Sequence, residues 1–187
     1  MKKSNLKFLI VGLGSMGKRR IRNLQANGQH KIVGFDLRAE RMGEAKKMYG
    51  IKIILDVKKI PPEDFDVMII STSPESHGEY IRMALKYKKH FFVEHPINNE
   101  GYKEIFNDKT AGLVKAPSCT MRFYQPIKMI KELMEKKTIG KVLAFQYHMA
   151  LYLPDWHTYE DYRKVYFSKK ETSACREMLP FELIWLN

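Results

Sequence analysis

At 187 residues, 44% hydrophobic and 12% aromatic, the chain is too apolar for a disordered tail and long enough for one full domain plus part of another. Two cysteines, Cys119 and Cys175, without a Cys or His partner at ligand spacing exclude a disulfide framework and a zinc site and fit a reducing cytoplasm. The net charge of +12 sits mostly on residues 1–120, which hold 22 of the 33 Lys and Arg but 13 of the 21 acids; without a zinc finger, an RNP-type strand or a helix-turn-helix it reads as a solvated lysine-rich surface, with no nucleic-acid partner.

The run Lys7-Phe8-Leu9-Ile10-Val11 reads as a first strand. Lys2, Lys3 and Lys7 before it resemble a secretory leader, but Lys18-Arg19-Arg20 stands where small residues would precede cleavage. No apolar run approaches the roughly 18 residues of a membrane span, so no membrane partner is expected. Gly12-Leu13-Gly14-Ser15-Met16-Gly17 follows the strand at once. In that spacing Gly12 permits a tight strand-to-helix turn, Gly14 lets the backbone approach a pyrophosphate, and Gly17 lets the helix lie against the sheet. The first-turn N–H groups around Ser15 and Met16 and the positive end of the helix dipole then face the phosphates. Lys18, Arg19, Arg20 and Arg22 add positive potential on that helix.

Ile21 and Leu24 mark its buried stripe, Gly28 its stop, and residues 31–35 a second strand ending at Asp36, 19 residues after Gly17. A carboxylate there is placed to accept from both ribose hydroxyls of an adenosine. This favours NAD, because a 2′-phosphate would meet a negative charge, whereas Arg38 or Arg41 is able to grip that phosphate and so admit NADP. Met42, Ala45, Met48 and Tyr49 form the inner face of a second helix that Gly50 ends, and residues 51–55 form a third strand. Residues 66–71 are apolar enough for a strand buried on both faces. Its end delivers Ser71, Thr72, Ser73 and, after Pro74, His77 to the edge where open α/β sheets bind ligands. A helix with Tyr80, Ile81, Ala84 and Leu85 inward follows; the strand around 91–93 then brings Glu94-His95-Pro96 to the same edge.

A short helix over 100–108 and a strand over 115–121 complete the first domain, residues 1–120. An amphipathic helix over 126–137 turns Ile127, Ile130, Leu133 and Met134 inward. Residues 142–151 alternate apolar and polar like an antiparallel strand. The fold class is therefore α/β, a doubly wound parallel sheet, followed over 121–187 by an incomplete α+β domain whose residues 142–187 are expected to expose apolar surface, with association or local disorder as the consequence.

Taken together, Gly12 to Gly17, Thr72-Ser73-Pro74 with His77, the stretch from Lys88 to Pro96, Arg122-Phe123 and Ile139-Gly140-Lys141-Val142 resemble the Gfo/Idh/MocA oxidoreductases over nearly the whole chain. The resemblance implies hydride transfer between NAD or NADP and a hydroxyl-bearing carbon of a sugar, cyclitol or nucleotide sugar, in a cytoplasmic protein that is a homo-oligomer at full length. It places Ser71, Thr72, Ser73, His77, Glu94 and Arg122 with the cofactor. The family's Glu-Lys-Pro lysine is His95 here. Where the family tends to have an acid followed four positions later by histidine, this chain has Glu177 and Phe181, with Glu182 as the substitute. His95 and Glu182 are accordingly the catalytic candidates. Two other readings stay open: a nucleotide-binding module that has lost catalysis, and a relative that cleaves glycosides with the help of NAD. Asp155-Trp156-His157 and Asp161-Tyr162-Arg163 join aromatic faces to polar groups as sugar sites do, although an ordinary loop and helix start is the favoured account of them.

Overall fold

Strand-forming runs of four apolar residues or fewer are stable only inside a sheet, and six of them lie parallel in one here. A computed structural model of the chain describes residues 6–95, 99–156, 158 and 160–186. Pro96 and His157, on which two of the expectations above fall, lie outside them, as do Lys2 and Lys3. The strands are β1 (Phe8–Val11), β2 (Ile32–Phe35), β3 (Lys52–Ile53), β4 (Val67–Ile70), β5 (His90–Val93) and β6 (Lys115–Pro117). Their order is β3-β2-β1-β4-β5-β6, every neighbouring pair parallel. This is the doubly wound order in which the winding reverses between β1 and β4, and a crevice opens there at the carboxyl ends of the strands.

Alternation along β1 divides the core between the two faces of the sheet. Leu9 and Val11 join Phe65, Met68, Ile70 and Phe91 on one face, whereas Phe8 and Ile10 join Leu13, Ile21, Ile32 and Ala45 on the other. The helices that cover these faces are α1 (Ser15–Ala26), α2 (Ala39–Tyr49), α3 (His77–Lys86) and α4 (Tyr102–Asn107). Gly50, at φ +65°, closes α2 in the left-handed conformation. Met48 is exposed rather than part of the inner face of α2: Ala45 alone of that helix is fully buried, because the short strand β3 offers little sheet for a longer stripe to cover. The sixth strand likewise stops at Pro117, and Thr120–Phe123 forms a 3₁₀ turn in place of its expected continuation.

Backbone contacts divide the chain into one unit ending at Ser118 and another beginning at Cys119. The second unit contains α5 (Gln125–Glu135), α6 (Leu153–Trp156), α7 (Ala174–Leu183) and short 3₁₀ turns. The strand expected over 142–151 does not form. Its alternating residues find no partner strand among the described residues, and an unpaired strand leaves its N–H and C=O groups to water. For the same want of a partner, Ile130 and Met134 of α5 are exposed instead of turned inward. Leu143, Phe145, Leu151 and Tyr152 are also exposed, in keeping with the apolar surface expected of this region. A small aromatic cluster holds the rest of the unit, with Phe167 buried against Trp156 at a centroid distance of 5.1 Å.

Candidate functional site: a glycine-lined crevice at the strand ends

The crevice is built by two backbones brought into contact. Gly12 ends β1 at φ +88°, and a Cβ placed on it would lie 2.4 Å from the Ser71 carbonyl oxygen at the end of β4. A Cβ on Gly17 would lie 1.9 Å from the Gly12 carbonyl oxygen. Only hydrogen fits at either position, which is why α1 leaves the sheet as tightly as it does. Gly14 precedes α1 and offers no side-chain cap, and no acid stands in its first turn. The leading N–H groups of the helix, around Ser15, Met16 and Gly17, are thus left to an external anion.

Asp36 sits beside this loop, buried, at the end of β2. Its Oδ2 accepts from the Leu13 N–H at 2.7 Å and its Oδ1 from the Arg38 N–H at 2.9 Å. The carboxylate therefore shapes the glycine loop itself, a duty that only long-range structure reveals. Each oxygen retains a second lone pair for a hydroxyl donor. Arg41 extends from α2 to place Nη1 3.8 Å from Asp36 Oδ2 and 3.3 Å from where a Gly14 Cβ would be.

The β4 edge carries Ser71, Thr72 and Ser73 into the N-terminus of α3. Ser76 Oγ lies 2.8 Å from Thr72 Oγ1 and 2.9 Å from the Ser73 carbonyl oxygen, which fixes the turn. His77 is buried, and its Nε2–H donates to the Thr72 carbonyl at 3.0 Å. That bond leaves Nδ1 as a bare, buried acceptor without a hydrogen-bond partner among the described residues. Burial holds the His77 pKa below the usual histidine value, against the opposing pull of the Thr72 carbonyl and the negative charges of Glu94 and Glu75.

The sign of the resulting pH dependence follows directly. A histidine whose pKa is lowered in the folded state takes up its proton more readily when unfolded, so stability falls as pH drops through the ordinary histidine range near 6.5. The urea midpoint is expected to decrease between about pH 7.5 and 5.5, and the His77→Gln variant to show a shallower decrease. An unchanged slope in the variant would remove His77 as the cause.

Glu94 and His95, both buried, follow β5 to the same edge. Glu94 is gripped by Arg20 of α1, Nε to Oε1 at 2.6 Å and Nη2 to Oε2 at 2.8 Å, and also receives the Ser71 hydroxyl at 3.2 Å. Arg20 pairs with Glu94, Lys18 with Glu44 of α2, and Arg22 donates to the Tyr49 hydroxyl. The first unit thus gathers Gly12, Gly14, Ser15, Met16, Gly17, Asp36, Arg38, Ser71, Thr72, Ser73, His77, Glu94 and His95 along one set of strand ends. Arg122 and Glu182 belong to the second unit. Arg122 is exposed in the 3₁₀ turn after Cys119, whereas Glu182 is buried on α7, where Oε2 accepts from the Trp185 indole at 2.8 Å. Phe145 and Tyr147 pack edge-on against that indole.

Sheet order, glycine loop and the acid on β2 together define a dinucleotide-binding α/β protein. Residues 6–109 match the model of the oxidoreductase family with an NAD-binding Rossmann fold, Gfo/Idh/MocA, and the chain belongs to that family. It is 28% identical over 138 residues to myo-inositol 2-dehydrogenase of Thermotoga maritima, covering 71% of this chain and 41% of that enzyme. Among solved structures it resembles an NAD-binding protein from Listeria innocua, with 27% identity, a TM-score of 0.64, and coverage of 74% of this chain and 41% of the other. A scyllo-inositol dehydrogenase from Lactobacillus casei, solved with NAD(H) and scyllo-inositol, shares the fold at 23% identity, with a TM-score of 0.64 and coverage of 74% and 43%. The chain spans about two-fifths of the curated relatives it matches.

The residues present fit such a cofactor. The cradle that a Cβ would fill at Gly12 and Gly17, the uncapped start of α1 and the spare lone pairs of Asp36 are what a pyrophosphate and an adenosine ribose require. Asp36→Ser is expected to weaken NAD by about 1–3 kcal/mol and to weaken NADP less, as calorimetry with each nucleotide will measure. Equal losses for both would mean that Asp36 acts only through the loop. Among the described residues no group of His, Cys, Asp or Glu is arranged to hold a metal ion, and no helix is long and apolar enough to cross a membrane.

Proposed function

We propose that this chain is the cofactor-binding part of an NAD-dependent dehydrogenase acting on a hydroxyl-bearing carbon of a sugar or cyclitol. The observation that carries the reading is the meeting, at the carboxyl edge of one sheet, of a phosphate cradle, a ribose-binding acid and a buried histidine. Gly12, Gly14, Ser15, Met16 and Gly17 hold the pyrophosphate. Asp36 takes the ribose hydroxyls and makes NAD the preferred nucleotide, with Arg38 beside it; Ser71, Thr72, Ser73, His77 and Glu94 complete the first unit's part of the cofactor's surroundings, and Arg122 is a further candidate for a cofactor contact. When bound, the nicotinamide supplies the hydride acceptor for alcohol oxidation.

His95 is the base. A neutral imidazole takes the hydroxyl proton as the carbinol is oxidised and returns it in the reverse direction. Glu182 is the second catalytic candidate. The similarity to myo-inositol 2-dehydrogenase supports a polyol substrate. Saturating the full-length protein with NAD and titrating inositols and sugars is expected to produce the absorbance of reduced nicotinamide. NAD binding with no turnover across the panel would favour a second reading, a nucleotide-binding module without catalysis, to which His95 and Phe181 at the two catalytic positions point. In that case His95→Lys is the change that creates activity. The enzyme is cytoplasmic, and its self-association is supported by the exposed Leu143, Phe145, Leu151 and Tyr152; sedimentation of the full-length protein as a monomer would count against association.

A further inference from the structure

The Arg20–Glu94 pair spans 74 residues of sequence and joins two places that the proposed reaction needs to keep in register. Arg20 lies one turn into α1, the helix whose first turn faces the phosphates, and Glu94 is the residue immediately before His95. The pair is bidentate and mostly shielded, with 16% of the Arg20 and 11% of the Glu94 side chain exposed. Two further contacts fix the guanidinium: it stacks over the Phe92 ring at 4.6 Å, and Nη2 reaches Ser118 Oγ at 3.3 Å, at the end of β6. Ser71, whose carbonyl touches Gly12, closes the circuit through its hydroxyl on Glu94 Oε1. One cation thus binds together α1 and the ends of β4, β5 and β6. A planar fork does this where a lysine ammonium, a point charge on a flexible stem, would not.

We propose that Arg20 is a positioning residue: through Glu94 it fixes the backbone that presents His95 and ties that presentation to the helix receiving the cofactor. The inference rests on His95 being the base. The contacts of Arg20 are to Glu94, Ser118 and Phe92; the same carboxylate also bears on the His77 imidazole, so loss of the guanidinium disturbs both histidines of the crevice.

In the full-length protein, Arg20→Met is expected to lower kcat about 10- to 100-fold, the cost of a small misplacement of a reacting group, while the dissociation constant for NAD changes by less than about threefold. Arg20→Lys keeps the charge without the fork and is expected to recover part of the loss. Because Arg20 acts through Glu94, the double variant Arg20→Met/Glu94→Gln is expected to be no worse than Arg20→Met alone. The His95 Hε1–Cε1 NMR resonance, which does not depend on turnover, is expected to shift in both single variants. A kcat within about twofold of the parent together with an unmoved His95 resonance would overturn the proposal. So would parallel loss of NAD binding and thermal stability in both Arg20→Met and Arg20→Lys, since that marks a strut with no specific bearing on His95. An inactive parent counts against the dehydrogenase reading instead, and the His95 resonance then decides for or against Arg20 alone.

Discussion

Gly17→Ala is expected to abolish nucleotide binding and to destabilise the fold more than any other single methyl group added to the glycine loop. The added carbon would fall 1.9 Å from the Gly12 carbonyl oxygen, a backbone atom that cannot rotate away. Either α1 lifts from the sheet, opening the contacts of buried Ile21, or the turn at Gly12 unwinds. Overpacking of this kind costs about 1–3 kcal/mol or more. For a domain of this size about 3 kcal/mol corresponds to a fall of roughly 10 °C in Tm. Because the helix start also forms the phosphate cradle, NAD affinity is expected to drop at least 100-fold, or about 2.7 kcal/mol. Gly43→Ala is the matched control. Gly43 lies inside α2 with nothing within 4 Å of an added Cβ, and alanine there is expected to stabilise by about 0.5–1 kcal/mol. A Gly17→Ala variant with the parent's Tm and NAD affinity would contradict the account of the crevice.

His95→Gln carries the second large effect. Glutamine keeps comparable bulk and hydrogen-bonding capacity but cannot accept a proton at neutral pH, so the substitution isolates the acid–base role. In the full-length protein kcat is expected to fall by about 10²- to 10⁴-fold, the usual contribution of a positioned general base. Binding of NAD, assigned above to Asp36 and the glycine loop, is expected to stay near the parent value. If kcat is unchanged while NAD still binds, His95 is not the base, and the cofactor site stands without it.

Much of the fold was legible because its determinants are local. Three glycines at fixed spacing, the doubly buried run before Ser71 and an acid at the end of a strand each announce their geometry within a few residues. The structure adds what no local pattern contains. Nothing around Arg20 reveals that its partner is Glu94, and nothing around Asp36 reveals that its carboxylate holds the Leu13 amide. Both pairs are decided by which strand ends the winding of the sheet brings together. Met48 illustrates the opposite error, since helical periodicity proposed a buried face that the two-residue β3 is too short to cover. The alternation of 142–151 failed as a strand for a related reason: alternation states which side of a strand is apolar, but a strand exists only beside another.

In the proposed reading Asp36 has a ribose to bind as well as a loop to hold, and that constrains how coenzyme choice in this protein is altered. The oxygen that would greet a ribose hydroxyl already restrains the peptide between the first two glycines of the loop. Exchanging the acid for a small neutral residue in order to welcome a 2′-phosphate also releases that peptide and slackens the grip on every dinucleotide. A successful switch therefore needs a replacement acceptor for the Leu13 amide alongside any new cation, so the route from one coenzyme to the other passes through at least two coordinated substitutions.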